Sequence, residues 1–171
     1  MIEKEIEIKV LNHSVNEYIE MLEKIGASKV GEEYQKNYLI NSNLDYNKSY
    51  IRLRVLDDRA EFTLKERMDE DNFRINKETT TTVDDPESLL YILKALGFDY
   101  KLECKHRIKY AFKDYIFDID QWAEDVYPIP YMEIEARDAS KLDDIIDLLN
   151  IRSDITTKTI HQLKEEYKNS K

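Results

Sequence analysis

The sequence has a single cysteine, Cys104, which excludes an internal disulfide and leaves cohesion to packing and hydrogen bonding. That scarcity fits a reducing compartment, so a cytoplasmic location is expected. Glycine and proline are equally sparse, three of each in 171 residues. No low-complexity linker breaks the chain, and a single domain over 1–171 is expected. No run reaches the roughly 18 apolar residues of a membrane-spanning helix. The opening Met-Ile-Glu-Lys-Glu-Ile-Glu lacks both the basic start and the apolar run of a signal peptide. Positive charge is also in deficit: 26 Lys and Arg stand against 36 Asp and Glu, a net of −10. This argues against a nucleic-acid duplex or a membrane surface as partner. A compact anion stays open if the basic residues are gathered in one place.

What the sequence does have is alternation. In Glu3–Val10, Ile6, Ile8 and Val10 share one face of a strand while Glu5, Glu7 and Lys9 share the other. Ser14-Val-Asn-Glu17 is a capping box, followed at helical spacing by Tyr18, Leu22 and Ile25 up to Gly26. Further strands are expected at 34–40, 50–56, 60–65 and 74–83. Asp85-Pro86-Glu87 then opens a second helix whose apolar stripe runs to Leu96 before Gly97. Strands resume at 103–111, 115–120 and 131–136, and helices are expected over 140–149 and about 157–167. Strand, helix and strand recur at 3–40 and 74–110, a repeat of architecture without residue identity.

The polar faces of these strands are selectively charged. Arg52 and Arg54 share one face, Lys65 follows Phe62 and Leu64, Arg74 goes with Glu78, and Lys105, Arg107 and Lys109 fall at every second position. Asp118 with Asp120 and Glu133 with Glu135 complete the set. Arg and Lys neutralise phosphate oxygens, Arg bidentately. Carboxylates spaced i and i+2 suit a hard cation such as Mg²⁺ or Mn²⁺, whose other ligands would be phosphate and water. Cross-strand ion pairs on a solvated exterior would produce the same pattern without a ligand. From the residues alone both readings stand.

Glu5-Ile-Glu7-Ile-Lys9 resembles the ExExK signature of CYTH domains, the triphosphate tunnel metalloenzymes. The resemblance continues in order through Tyr50-Ile-Arg52-Leu-Arg54, Glu61-Phe-Thr-Leu-Lys65, Lys105-His-Arg107 and Tyr131-Met-Glu133-Ile-Glu135, covering about residues 1–160. It implies an α+β fold, an antiparallel β-barrel closed into a tunnel with amphipathic helices outside. It implies metal binding by Glu5, Glu7, Glu133 and Glu135, with Asp120 at the acidic position before the last carboxylate strand. Lys9, Arg52, Arg54, Lys65, Lys105 and Arg107 match the phosphate-binding cations, and Arg74 is counted with them. Thr157-Lys158 falls where many members place a lysine near the tunnel mouth, with Ile160 in place of the usual tyrosine. Glu7, Glu135 and Lys158 are the catalytic candidates.

The expected activity is metal-dependent, with Mg²⁺ or Mn²⁺, on a small-molecule triphosphate: inorganic tripolyphosphate, a nucleoside triphosphate or thiamine triphosphate. The alternatives are a class IV adenylyl cyclase making cyclic AMP and pyrophosphate, and a non-catalytic polyphosphate- or nucleotide-binding protein. A homodimer stays open, since cyclase-like relatives include dimers. His13, His106 and His161 lack metal-ligand spacing and are expected to be structural or at the surface. Cys104 is expected as a small buried hydrophobe. Trp122 is expected in the core or anchoring a loop, with stacking at a tunnel mouth as the alternative.

Overall fold

The structure is a computed structural model that describes residues 2–68, 74–136 and 139–170; side chains are described from residue 6 onward, those of positions 74, 139 and 140 excepted. The elements run in the order β1 (Ile2–Val10), α1 (Val15–Lys24), β2 (Ser28–Asn41), β3 (Ser49–Val55), β4 (Ala60–Met68), β5 (Arg74–Thr82), α2 (Pro86–Ala95), β6 (Asp99–Phe112), β7 (Tyr115–Trp122), β8 (Tyr131–Ala136), α3 (Ala139–Leu149), β9 (Ile155–Thr156) and α4 (Ile160–Asn169). β2 and β6 are each 14 residues, longer than alternation alone predicts, and the two-residue β9 has no sequence signal.

The strands form one antiparallel sheet in the order β5-β4-β3-β2-β6-β7-β8-β1-β9. A further pairing of β1 with β5, Ile2 opposite Thr79 through Glu7 opposite Arg74, closes eight strands into a ring. β9 adds to β1 beyond that pairing, at Lys9 and Val10. The expected tunnel-forming barrel is therefore present. The two strand–helix–strand units also meet edge to edge, since β1 pairs with β5 and β2 pairs with β6. Closure leaves no open edge around most of the ring.

Two faces with opposite chemistry follow from the alternation. Ile6, Ile8 and Val10 pack in one apolar cluster with Phe117, Ile119, Met132 and Ile134 of β7 and β8, under Tyr18 and Leu22 of α1 and Leu142, Ile145 and Ile146 of α3. A second cluster joins Ile40, Leu53 and Ala60 to Leu90 of α2. These helices cover the outside of the barrel, so the charged faces of the same strands turn inward. α1 starts at its capping box, Glu17 N–H donating to Ser14 Oγ at 3.3 Å and Ser14 N–H to Glu17 Oε2 at 2.7 Å. It ends at Gly26, whose φ of +84° favours glycine. α4 is different. Leu163 of this helix packs with Trp122, Tyr127 and Tyr131 and caps one end of the barrel.

Candidate active site in the barrel

The inward faces enclose a cavity of about 240 Å³. β1 supplies Glu7 and Lys9, β3 Arg52 and Arg54, β4 Lys65, β5 Glu78, β6 Lys105, Arg107 and Lys109, β7 Asp118, and β8 Glu133 and Glu135. The structure thus brings together the inner charges read from the sequence, with three exceptions and one removal. Glu5 and Arg74 lie, as side chains, outside the described residues. Asp120 is fully buried and does not line the cavity. Lys158 is exposed and paired with Glu166 at 2.7 Å, away from the cavity, while Lys164 of α4 is the lysine that reaches it.

Most of the cations are matched by a carboxylate directly across the strand. Lys9 faces Glu133 and bonds it at 2.9 Å. Lys65 faces Glu78 and bonds it at 2.7 Å. Lys109 faces Asp118 at 2.7 Å. Arg107 faces Asp120 and grips it with Nε at 2.6 Å and Nη2 at 2.7 Å, while donating also to Glu133 at 2.8 Å and to Asp118. Lys105 Nζ shares Asp120 at 2.7 Å and lies 5.0 Å from the Trp122 ring.

Arg52 and Arg54 break the pattern. Their neighbours are Leu39 and Asn37 across β2 and Thr63 and Glu61 across β4; Glu61 pairs with Arg59 instead, and among the described residues no carboxylate lies within ion-pairing distance of either guanidinium. Arg52 Nε is buried without a hydrogen-bond partner among the described residues, and Arg54 Nε donates only to Asn37 Oδ1, at 3.4 Å. Burial, then the neighbouring Arg52 and Arg107, brings Arg54 down to about 10. Two half-buried guanidiniums face the cavity without an ion pair, the charge of Glu78 acting on them from beyond ion-pairing distance, and an anion would offset the cost of their partial desolvation.

The same balance sets the other groups. Burial, and after it Arg107, pushes Lys105 down to about 7. Burial works to raise Glu133, but Lys9 and Arg107 outweigh it and hold the carboxyl well below the usual range. Asp120 follows the same rule, lowered because Arg107 and Lys105 overcome burial.

A hard divalent cation fits the carboxylates. Glu7 and Glu135 stand directly opposite on β1 and β8, a like-charge pair that is unfavourable in a sheet unless positive charge accompanies it. Glu133 lies one inward position from Glu135. Lys9 and Lys65 lie 3.7 Å from Glu7, and Asn76 Nδ2 donates to it at 3.1 Å. Among the described residues no group of three or more His, Cys, Asp or Glu forms a self-sufficient metal cage. Carboxylate oxygens beside phosphate-binding cations are the donor set that Mg²⁺ and Mn²⁺ accept with ligand oxygens completing the shell.

Several lining residues escaped the sequence reading. Tyr46, Leu39, Ile160 and His161 form an apolar and aromatic part of the cavity, with the Tyr46 and His161 rings stacked at 5.6 Å. His161 therefore borders the cavity, although its sequence context suggested only a structural or surface role. Trp122 lines the cavity too, its Nε1 donating to Tyr131 OH at 2.9 Å, so core packing and contact with the cavity coexist. Glu103 pairs with Lys164 and, at 2.7 Å, with Lys101. Nothing in strand alternation could have signalled the α4 contributions. Cys104, expected to be buried, is exposed: it falls between the inward Glu103 and Lys105 on β6 and so turns to the outer face.

A closed antiparallel barrel with inward charges and helices outside is the CYTH tunnel fold. The chain belongs to the CYTH domain family, whose model matches residues 3–167. That family acts on triphosphates with metal dependence. Similar solved structures include the PH1012 protein of Pyrococcus horikoshii OT3, with 22% identity, a TM-score of 0.79, and coverage of 93% of this chain and 98% of that one. A candidate adenylate cyclase from Bacillus halodurans matches at 17% identity and a TM-score of 0.65, covering 92% and 95%. A candidate adenylyl cyclase from Hippeastrum, described as having a dominant triphosphatase activity, matches at 17% identity and a TM-score of 0.64, covering 86% and 88%. At these identities the likeness is one of fold. No curated protein matches the sequence. Among the described residues, no helix is long and apolar enough to cross a membrane.

Proposed function

We propose that this chain is a metal-dependent triphosphate phosphohydrolase, acting in the barrel cavity on inorganic tripolyphosphate or on a nucleoside or thiamine triphosphate. The observation that carries this reading is the pair Arg52 and Arg54, half-buried guanidiniums lining the cavity with no ion-pair partner among the described residues. A salt-bridged structural barrel has no use for them. A polyanion does.

In this reading Arg52 and Arg54 take the phosphate oxygens first, with Lys9, Lys65, Lys105 and Arg107 around them. Glu7, Glu133 and Glu135 would hold Mg²⁺ or Mn²⁺, and Glu5 keeps its sequence-based place beside them, as Arg74 does among the cations. When bound, the metal would neutralise phosphate charge and favour a deprotonated water. Lys105 can hold or release a proton at neutral pH, because burial and Arg107 bring it to about 7. Lys164, reaching the cavity from α4, takes the part that sequence position suggested for Lys158. Water attacks the terminal phosphorus, the bridging oxygen bond breaks, and orthophosphate and a diphosphate result.

One observation favours a second reading. Tyr46, Leu39, Ile160 and His161 offer an organic group a place in the same cavity, so ATP could be cyclised by attack of its ribose 3′-hydroxyl on the α-phosphorus, releasing pyrophosphate. Incubation with tripolyphosphate, thiamine triphosphate and ATP, each with Mg²⁺ or Mn²⁺, separates the two. Orthophosphate is expected without cyclic AMP. Cyclic AMP with pyrophosphate would establish the cyclase instead, and metal-dependent binding with no turnover of any of them would leave a binding protein.

A further inference from the structure

We infer that Asn37 is a substrate-binding residue, a neutral donor that completes the anion site with Arg52 and Arg54; this rests on the triphosphate reading above. Across the barrel, the position facing a cation usually carries a carboxylate: Glu133 for Lys9, Glu78 for Lys65, Asp120 for Arg107. Arg54 faces Glu61 on β4, but that carboxylate pairs with Arg59 and makes no ion pair with Arg54; on β2 the facing position carries an amide, Asn37. An aspartate there would pair with Arg54 and cancel its charge. An asparagine leaves that charge available.

The amide also has its own hydrogen-bonding capacity to spare. Asn37 is 1% exposed and lines the cavity. Its Oδ1 accepts from Arg54 Nε at 3.4 Å, which turns Nδ2 away from the guanidinium. Nδ2 is buried without a partner among the described residues. Glu103, directly across β2 and β6 from Asn37, bonds Lys101 and Lys164 with its two oxygens and makes no hydrogen bond with Asn37 Nδ2. A buried amide N–H without an acceptor is costly, and such groups are rare unless a ligand supplies the acceptor. Arg52 Nε, on the adjacent strand β3 and opposite Leu39, is in the same condition. Two unmet donors on adjacent strands, beside an uncompensated guanidinium, suit phosphate oxygens, which accept from neutral and charged donors together.

The test is isothermal calorimetry of the full chain with tripolyphosphate and MgCl₂, comparing wild type, Asn37→Ala and Asn37→Asp, each checked for an unchanged melting temperature without ligand. Because the acceptor is charged, loss of the donor is expected to weaken binding about 10-fold or more for Asn37→Ala. Asn37→Asp should be worse, since it adds a carboxylate that repels the anion and pairs with Arg54. To separate direct contact from an effect through Arg54, Asn37→Ala is also made in an Arg54→Ala background, where a direct donor still costs several-fold. Wild-type affinity in Asn37→Ala, or no added loss in the Arg54→Ala background, overturns the inference while leaving the triphosphate reading intact. Absence of tripolyphosphate binding to the wild type would overturn that reading and this one with it.

Discussion

Arg107 and Asp120 face each other across β6 and β7, and the guanidinium takes both carboxylate oxygens, at 2.6 and 2.7 Å. Both residues are buried, and Arg107 additionally bonds Asp118 and Glu133. The pair thus fixes the inner wall on which Lys105 and Glu133 stand. Removing Asp120 while Arg107 remains leaves a buried charge short of its main partner. Asp120→Ala is expected to destabilise the fold by about 3–5 kcal/mol, measured by urea unfolding. A loss below about 1 kcal/mol would mean that Asp118 and Glu133 suffice to hold Arg107.

Arg52 should behave in the opposite way. With no ion pair to lose among the described residues, Arg52→Ala is expected to leave stability nearly unchanged, because a half-buried guanidinium with an unbonded Nε disappears. Its cost should fall on tripolyphosphate affinity, weakened about 10-fold or more. Lys158→Ala, a change on the surface at an exposed pair, should alter stability by no more than about 0.5 kcal/mol and turnover hardly at all. Thermal melts with and without tripolyphosphate read both effects, and a strongly impaired Lys158→Ala enzyme would return that residue to the site.

Glu7 and Glu135 stand directly opposite on neighbouring strands. If they share a metal, Glu7→Gln and Glu135→Gln should each abolish the Mg²⁺- or Mn²⁺-dependent rise in melting temperature that tripolyphosphate produces. Neutralising one of two facing carboxylates relieves repulsion, which in Glu7→Gln is set against the lost charge beside Lys9 and Lys65, so each variant's own metal-free melting temperature is the reference. Metal-dependent stabilisation persisting in both variants would remove these residues from the metal site.

Lys105 gives a pH signature. Burial and Arg107 bring it to about 7 in the free protein, far below an ordinary lysine. A bound polyanion favours the charged ammonium and raises that value. Binding at pH 8 should therefore take up protons, and affinity should fall as pH rises above about 7. For folding the sign is the reverse: between about 7 and the ordinary lysine range the unfolded chain holds a proton that the folded one lacks, so this group's contribution to stability grows as pH rises across that window. Calorimetry at pH 8 in buffers of different ionisation enthalpy detects the uptake, and Lys105→Met should abolish it. Buffer-independent enthalpies for the wild type would refute the assignment.

How far the sequence went is clearest in β1. Strict alternation in Glu3–Val10 placed Ile6, Ile8 and Val10 on one face and Glu7 and Lys9 on the other, because strand geometry sends successive side chains to opposite sides whatever the partner strand is. The capping box at Ser14–Glu17 and the glycine at 26 marked α1 for equally local reasons. The ordered series of Arg, Lys and Glu pairs identified the family and most of the charges that line the cavity.

What the chain could not announce depends on contacts distant in sequence. Closure of β1 on β5 turned charged faces into an interior, where alternation alone allowed a solvated exterior equally well. Register set Arg107 opposite Asp120, which it grips, and set Arg54 between Asn37 and a Glu61 that Arg59 engages, a difference between a committed cation and an available one that residue type does not contain. The packing of Leu163 against Trp122 and Tyr131 brought Lys164 and His161 to the cavity and left Lys158 outside. Local sequence determined which residues are charged and which way each strand turns them. Tertiary structure decided which charges neutralise one another and which remain for a ligand, because Coulomb energy depends on separation and burial and the sequence specifies neither directly.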